Sequence, residues 1–297
     1  MKSGFVSFIG RPNAGKSSLL NQIVGVKLAI VSDKPQTTRN RILGVKNYPE
    51  GQVVFVDTPG IHRPLHRMNV RMVDTATDTI GEVDVVGVVI DASESPGNGI
   101  RYLLDLIKDT RAKTVLILNK IDLIKKTRLL PLMDQLNKER EWHAIVPVSA
   151  TKGDNVDRLE QVLLDALPEG EPMYPPDYLT DQPERAMVAE MVREQVLRLT
   201  RDELPFSTAV LLDRWEEDGN LVRLYMTILV DRESQKPIVI GRGGEIVKQI
   251  GSAARVEIEK FLERKIFLDL RVAVKEQWRE NDRLLDDLGV RPRASHR

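Results

Sequence analysis

None of the 297 residues is cysteine, which excludes a disulfide framework and thiolate metal sites and suits a chain kept in a reducing compartment. No stretch approaches the roughly 18 consecutive apolar residues that a spanning helix needs, so any membrane contact is expected to be peripheral. The start, MKSGFVSFIGRPNAGKS, carries only a short apolar run, Phe5 to Ile9, before a glycine-rich turn, and does not read as a secretory signal. Net charge is also missing: 44 Lys/Arg balance 44 Asp/Glu. That balance argues against a uniformly basic nucleic-acid binder, yet it conceals a split. Residues 177–235 hold 7 basic against 13 acidic side chains, and residues 236–297 hold 14 against 10, so a basic face is allowed only near the C-terminal end.

What is present is 41% hydrophobic and 30% charged residues, enough to bury real cores, and the length favours two domains over one. Short β-branched runs recur through the first half, at 5–9, 42–45, 53–57, 85–91, 115–119 and 145–148. Most are apolar on both alternating faces, as strands buried on both sides are, and helical patterns lie between them. The expectation is an α/β doubly wound, mostly parallel sheet over residues 1–170, with functional residues just past strand C-terminal ends. Residues 168–183 contain five prolines and no periodicity, which predicts a stiff linker over about 171–183. From 184 onward the order reads α-β-β-α-α-β. An amphipathic helix is marked by Val188, Val192, Val196 and Leu199, a hairpin spans 207–215 and 221–230, a helix 253–264 and a strand 266–274. A charged tail ends the chain.

GRPNAGKS (10–17) follows the first strand and opens the first helix, the setting that makes such a stretch a P-loop. Backbone N–H groups of Asn13, Ala14, Gly15, Lys16 and Ser17, with Ser18 beside them, are positioned to wrap phosphates at a helix N-terminus. Lys16 reaches the β/γ-oxygens and the Ser17 hydroxyl ligates Mg²⁺. The choice of base falls to NKID (119–122) at the end of a strand. Asp122 can accept both the N1–H and the N2 amino hydrogens of guanine, which adenine does not offer. Asn119 braces the loop and base, the Lys120 stem covers the ring, and SAT (149–151) brings Ser149, the Ala150 N–H and Thr151 toward O6. DTPG (57–60) ends another strand: Asp57 suits a water-mediated hold on Mg²⁺ and the Gly60 N–H a γ-phosphate. Within QTTRN (36–40), Thr38 is the candidate for closing the Mg²⁺ shell, with Thr37 as the neighbouring alternative. The position after DTPG, where signalling GTPases often place a water-orienting glutamine, is Ile61, which neither donates nor accepts a hydrogen bond. Slow hydrolysis follows from that absence.

These five motifs, followed by a domain carrying GRGG, resemble the Era family of bacterial GTPases over about residues 5–280. The resemblance implies a P-loop GTPase domain followed by a smaller α+β type II KH domain that binds the 3′ end of 16S ribosomal RNA during assembly of the small ribosomal subunit. It implies GTP/GDP and Mg²⁺ as ligands, a cytoplasmic monomer with a possible peripheral contact at the inner membrane, and a place for Asn13 in holding K⁺ beside the phosphates. Lys16, Thr38, Gly60 and Asn13 are the catalytic candidates.

VIGRGG (239–244) lacks the Lys-Ser/Thr pair of a triphosphate loop and so is not a second P-loop. A GxxG turn between helices instead brings bare backbone close to a polynucleotide chain. The candidate RNA contacts are Ile240, Gly241, Arg242, Gly243, Gly244 and Lys248, with Ile238, Ile240, Ile246, Val247 and Ile250 as an apolar groove floor. The alternative is a purely structural turn in a domain that binds a protein or membrane-associated partner. Residues 61–71 form the natural switch. Arg63, Arg67 and Arg71 share a helical face, which reads first as a solvated one; His62 and His66 read as surface residues without metal spacing. Trp278 either stacks on a base or pins the tail, and RPRASHR (291–297) reads as solvated.

Overall fold

Nine strands alternate with helices among the residues that the computed structural model describes, 1–34, 37–61, 66–95, 97–200 and 204–290. In the first half, β1 (Lys2–Gly10) leads to α1 (Lys16–Val24), β2 (Ile42–Tyr48), β3 (Gly51–Asp57), α2 (Arg67–Glu82), β4 (Val85–Asp91), α3 (Asn98–Ile107), β5 (Lys113–Asn119), α4 (Lys126–Asn137), β6 (Ala144–Pro147) and α5 (Val156–Ala166). The six strands form one sheet in the order β2-β3-β1-β4-β5-β6, parallel except for β2, which runs antiparallel to β3. Leu19, Leu20 and Ile23 of α1 pack with Leu159 and Leu163 of α5 over one face. Ala76 and Ile80 of α2, Leu103 of α3 and Leu136 of α4 cover the other. Doubly covered strands have no face for polar residues, which is why their sequences read as continuous apolar runs. The strands end at Gly10, Asp57, Asp91, Asn119 and Pro147, so the loops that follow meet along one edge of the sheet.

The proline-rich stretch does more than span a gap. The Leu179 carbonyl accepts from the Val45 N–H at 2.8 Å, the Thr180 hydroxyl donates to the Leu43 carbonyl at 2.6 Å, and Tyr174 and Tyr178 stack at 4.7 Å over Leu43, Val45 and Val54. It straps the edge strand β2, whose backbone would otherwise stand unpaired.

The second half comprises α6 (Glu184–Leu199), the short α7 (Leu204–Ser207), β7 (Ala209–Asp218), β8 (Leu221–Val230), α8 (Lys236–Ile240), α9 (Glu245–Leu262), β9 (Lys265–Val274) and α10 (Asp282–Asp287). β8 lies between antiparallel β7 and parallel β9. Val188, Val192 and Val196 of α6 and Ile250, Ala254 and Ile258 of α9 fill its core, whereas Leu199 stands exposed. The helix expected from 253 starts at Glu245: its apolar positions 246, 250, 254 and 258 repeat every fourth residue straight through Gly251. The hairpin strand begins at Ala209 rather than 207, because Ser207 closes α7.

The segment before residue 291 is packed against both sheets' domains. Trp278, Leu285 and Val290 are buried with Met68 and Met72 of α2 and with Ala209 and Leu229 of the second sheet. Trp278 donates from Nε1 to the Ser207 carbonyl at 2.9 Å, so it pins the tail and is not available to stack on a base. Arg71 is buried as well, ion-paired to Asp282 and Asp286, so the solvated face expected of the three arginines is at this position a docking face, whereas Arg67, also paired to Asp282, stays exposed. His66 lies 3.2 Å from Glu280. His62, Arg63, Gln36 and residues 291–297 lie outside the described residues.

Candidate functional site

The turn after β1 is shaped by two left-handed residues, Asn13 (φ 64) and Gly15 (φ 91), which bend successive amides toward one side in front of α1. Glycine is required at 15: a Cβ there would run into Asn119 Nδ2. Lys16 is buried beneath the turn, with Nζ 3.3 Å from the Gly10 carbonyl and 3.2 Å from that of Arg11. Pro12, Asn13, Gly15, Lys16, Ser17 and Ser18 line an open cleft of about 360 Å³, closed opposite by Ile30–Asp33, Thr37, Thr38 and Gly60. Residues 30–33 carry no motif and escaped the sequence reading; their role here comes from the path of the chain after α1. Asn13 Nδ2 donates to the Asp33 carbonyl at 2.7 Å, while Asn13 Oδ1 is buried with no hydrogen-bond partner.

Three oxygens converge beside Lys16. Ser17 Oγ lies 2.6 Å from Thr38 Oγ1 and 2.7 Å from Asp57 Oδ2, and Thr38 Oγ1 lies 3.1 Å from the same carboxylate oxygen. Thr37 turns away, its hydroxyl donating to the Lys34 carbonyl at 3.0 Å. Burial pushes the Asp57 carboxyl up and the Lys16 ammonium down, each partly held in its charged form by the other. Asp57 Oδ1 is buried without a partner. Two hydroxyls and a fully buried carboxylate, one of whose oxygens is the orphaned acceptor, are all hard oxygen donors, which is the donor set Mg²⁺ prefers, so these residues fit the ion. Gly60 packs against the P-loop, since a Cβ there would come within 2.9 Å of Pro12. Ile61 is buried beside Ile9, Ala76 and Val88. Its side chain is part of the core and faces away from the cleft.

At the base end, Asn119 donates from Nδ2 to the Ala14 carbonyl at 2.9 Å and accepts the Ala150 N–H on Oδ1 at 3.0 Å. One side chain thus ties the P-loop, the NKID loop and the SAT loop together. The Ala150 amide, expected to point at guanine O6, is engaged with Asn119. Asp122 is exposed, and Ser149 Oγ holds its Oδ1 at 2.6 Å; the Thr151 hydroxyl lies 3.4 Å from the same Oγ. Lys120 adopts φ 64 and reaches Asp91 Oδ2 at 2.5 Å. Burial raises the Asp91 carboxyl, but hydrogen bonds from Lys120 and Ser93 outweigh it and leave the group below the usual carboxylate range.

The second glycine segment forms a turn between α8 and α9 in which Gly241 (φ 77), Gly243 (φ 59) and Gly244 (φ 84) are all left-handed. Arg242 and Lys248 are exposed and Ile240 is half-buried. A Cβ at 241 would meet the Ile246 backbone nitrogen at 2.8 Å, whereas positions 243 and 244 face open space. Of the expected groove floor, Ile238 is exposed, Ile240, Ile246 and Val247 are half-buried, and Ile250 belongs to the core under the sheet, because it falls on the inward face of α9.

A P-loop, a guanine-type base loop and a mostly parallel sheet, joined to a small domain with a GxxG turn, define a GTPase coupled to a KH domain. Family models agree: that of the 50S ribosome-binding GTPases matches residues 5–120 and that of the KH domain residues 203–279. The chain belongs to the Era GTPase family, whose members hydrolyse GTP. It is 49% identical over 290 residues to GTPase Era of Geobacter metallireducens and 47% identical over 291 to that of Heliobacterium modesticaldum, spanning 97% of each chain in both comparisons. Among solved structures it superposes with TM-score 0.94 on a variant of Aquifex aeolicus Era bound to GDP·AlF4⁻, at 41% identity, covering 98% of this chain and 100% of that one. The fit to Era in complex with MgGDPNP and nucleotides 1506–1542 of 16S ribosomal RNA has TM-score 0.95 and 41% identity, covering 98% and 99%.

Proposed function

We propose that this chain binds GTP and GDP with Mg²⁺, hydrolyses GTP slowly, and grips 16S ribosomal RNA near its 3′ end through the turn at 241–244, acting in assembly of the small ribosomal subunit. The observation that carries the reading is the pairing, in one chain, of a braced Asp122 beside a P-loop with a left-handed glycine turn open at Gly243 and Gly244. The relative solved with both MgGDPNP and a 16S fragment supports it. Residues 1–170 carry the nucleotide, 171–183 connect, and 184–297 carry the RNA.

In this reading the amides of residues 13–18 wrap the phosphates and Lys16 neutralises the β/γ-oxygens. Ser17 and Thr38, with Asp57 through water, would hold Mg²⁺, which would supply Lewis-acid charge at the phosphates. The Gly60 N–H senses the γ-phosphate, and Asp122 selects guanine, aided by Asn119, Lys120 and the loop 149–151. No side chain at 61 orients the attacking water. Asn13 Oδ1, a buried acceptor without a partner, suits a K⁺ ion beside the phosphates in place of an arginine finger, and hydrolysis is expected to run faster in K⁺ than in Na⁺; equal rates refute that part. Ile240, Arg242 and Lys248 flank the bare backbone of 241–244 for the RNA. A cytoplasmic monomer, and any peripheral contact with the inner membrane, are carried by the family likeness alone.

The test is Arg242→Asp with Gly243→Asp, assayed against a single-stranded 16S 3′ fragment and against GTP. RNA affinity is expected to collapse with GTP binding intact. Unchanged RNA affinity would transfer the second domain's role to a protein or membrane-associated partner.

A further inference from the structure

The segment between α1 and β2 is held from two sides, and the second side is the other domain. Glu194 on α6 is fully buried, accepts the Val31 N–H on Oε1 at 3.0 Å and takes Lys27 Nζ on Oε2 at 2.5 Å. Its neighbour Arg193, also buried, donates from Nη2 to the Thr37 carbonyl. The Arg193 guanidinium is fixed side-on by Glu190, with Nε 2.8 Å from Oε1 and Nη2 2.6 Å from Oε2, so its planar fork arrives in one orientation. The next three residues are each held as well. Thr38 faces Ser17 and Asp57, Arg39 lies 5.4 Å over the Trp278 ring, and the Asn40 amide donates to the Leu288 carbonyl at 3.1 Å.

A peptide carbonyl and the side chain of the following residue are linked by a single rigid peptide plane. Fixing the Thr37 carbonyl therefore fixes where the Thr38 Cα, and with it the hydroxyl, can stand. We propose that Arg193 is a positioning residue for GTP hydrolysis: α6 of the second domain holds the Thr37 carbonyl so that the Thr38 hydroxyl stays aimed at Ser17 and Asp57, and the nucleotide site is complete only when the two domains are docked. The proposal rests on Thr38 serving the Mg²⁺ and γ-phosphate side of the site, as read above. Thr38 bears on the triphosphate state, whereas the P-loop amides, Lys16, Asp122 and Asn119 serve GDP equally. Loss of Arg193 is thus expected to separate two quantities that a general loss of structure lowers together.

The experiment measures single-turnover GTP hydrolysis across a Mg²⁺ titration, together with GDP affinity, for full-length wild type, Arg193→Ala, Arg193→Lys, Thr38→Ala and the Thr38→Ala/Arg193→Ala double variant. A hydrogen bond from a charged donor supports a loss of about tenfold to a hundredfold. Arg193→Ala is expected to lose that much hydrolysis and to need more Mg²⁺, with GDP affinity within about twofold of wild type. Arg193→Lys keeps the charge without the fork and should fall between. The double variant should lose no more than Thr38→Ala alone, because both act through one hydroxyl. Should Arg193→Ala not fold, the Lys variant and its pairing with Thr38→Ala carry the same comparison. A slow Thr38→Ala beside a wild-type-like Arg193 variant overturns the proposal alone, as does an equal loss of GDP affinity and hydrolysis. A wild-type-like Thr38→Ala removes the reading of Thr38 and the proposal with it.

Discussion

Arg71 on α2 meets Asp282 at 2.5 Å across the boundary between the GTPase sheet and the C-terminal segment, and the same guanidinium reaches Asp286 at 2.8 Å and the Val290 carbonyl at 2.6 Å. α2 is the first helix after DTPG and residue 61, so in the proposed reading the helix next in sequence to the γ-phosphate loop is bolted to the tail. Arg71 is buried, but both aspartates are about half exposed and regain water if it is removed. Arg71→Ala should therefore cost about 1–3 kcal/mol in urea unfolding, less than breaking a fully buried pair. Asp282→Asn should cost under about 1 kcal/mol, because Asp286 and Val290 still hold the cation. Hydrogen exchange should show α2 amides opening more in Arg71→Ala, while those of α9, which packs elsewhere, stay protected. A wild-type midpoint for Arg71→Ala contradicts the docking.

The glycines of the GxxG turn separate fold from grip. At Gly241 both the left-handed backbone and the close approach of Ile246 oppose a side chain, so Gly241→Ala is expected to destabilise the second domain by about 2 kcal/mol or more. Gly243 has the same backbone sign but nothing within 4 Å of a Cβ. Gly243→Ala should cost only about 1 kcal/mol and yet weaken binding of a 16S 3′ fragment, because in the proposed reading the new methyl takes space left for the RNA backbone. Equal RNA affinity in a folded Gly243→Ala protein refutes close backbone approach at that point.

Among the described residues, Asp122, the guanine selector of the proposed reading, is held by the Ser149 hydroxyl. Ser149→Ala removes the 2.6 Å bond that orients the carboxylate and should lower GTP and GDP affinity by about tenfold without changing which base is preferred. Asp122→Asn should reverse the preference toward xanthosine nucleotides, since the amide donates where the carboxylate accepted. Competition binding with GTP, XTP and ATP reads both, and undiminished GTP affinity in Asp122→Asn sinks the base assignment.

The strand runs and the P-loop were legible because both are local: burial on two faces writes an apolar run, and the phosphate cradle is one continuous stretch. Thr37 stayed open as an alternative to Thr38 in the sequence because a shift of one residue decides which side chain faces Asp57, and the packed segment, held by Glu194, Arg193 and Trp278, sets that orientation. Trp278 stayed open between stacking on a base and pinning the tail for a related reason. Trp278, Leu285 and Val290 are too sparse for any period and are buried by partners some 210 residues earlier, Met68 and Met72. Arg71, polar and at helical spacing with two other arginines, reads as a solvated face until its acidic partners at 282 and 286 fold back onto it. The segment 30–33 is the same case at the cleft, placed by tertiary path alone.

Ile61 provides the sharpest separation of motif from geometry. By position it replaces a catalytic glutamine, and the obvious experiment restores one. The side chain, however, lies in the core beside Ile9 and Ala76, and its N–H donates to the Gly10 carbonyl at 3.0 Å, so the backbone directs whatever stands at 61 inward. Ile61→Gln places a carboxamide among apolar neighbours, where its donors and acceptor compete poorly for partners already hydrogen-bonded in the strands. A loss of about 2–4 kcal/mol is expected in thermal or urea unfolding, with hydrolysis no faster than wild type. Ile61→Val removes one methylene, should cost about 1 kcal/mol, and should leave the rate unchanged. A stable Ile61→Gln protein with accelerated turnover shows that the side chain can swing out to the γ-phosphate, and then the absence of glutamine, rather than the inward path of the backbone, is what keeps this GTPase slow.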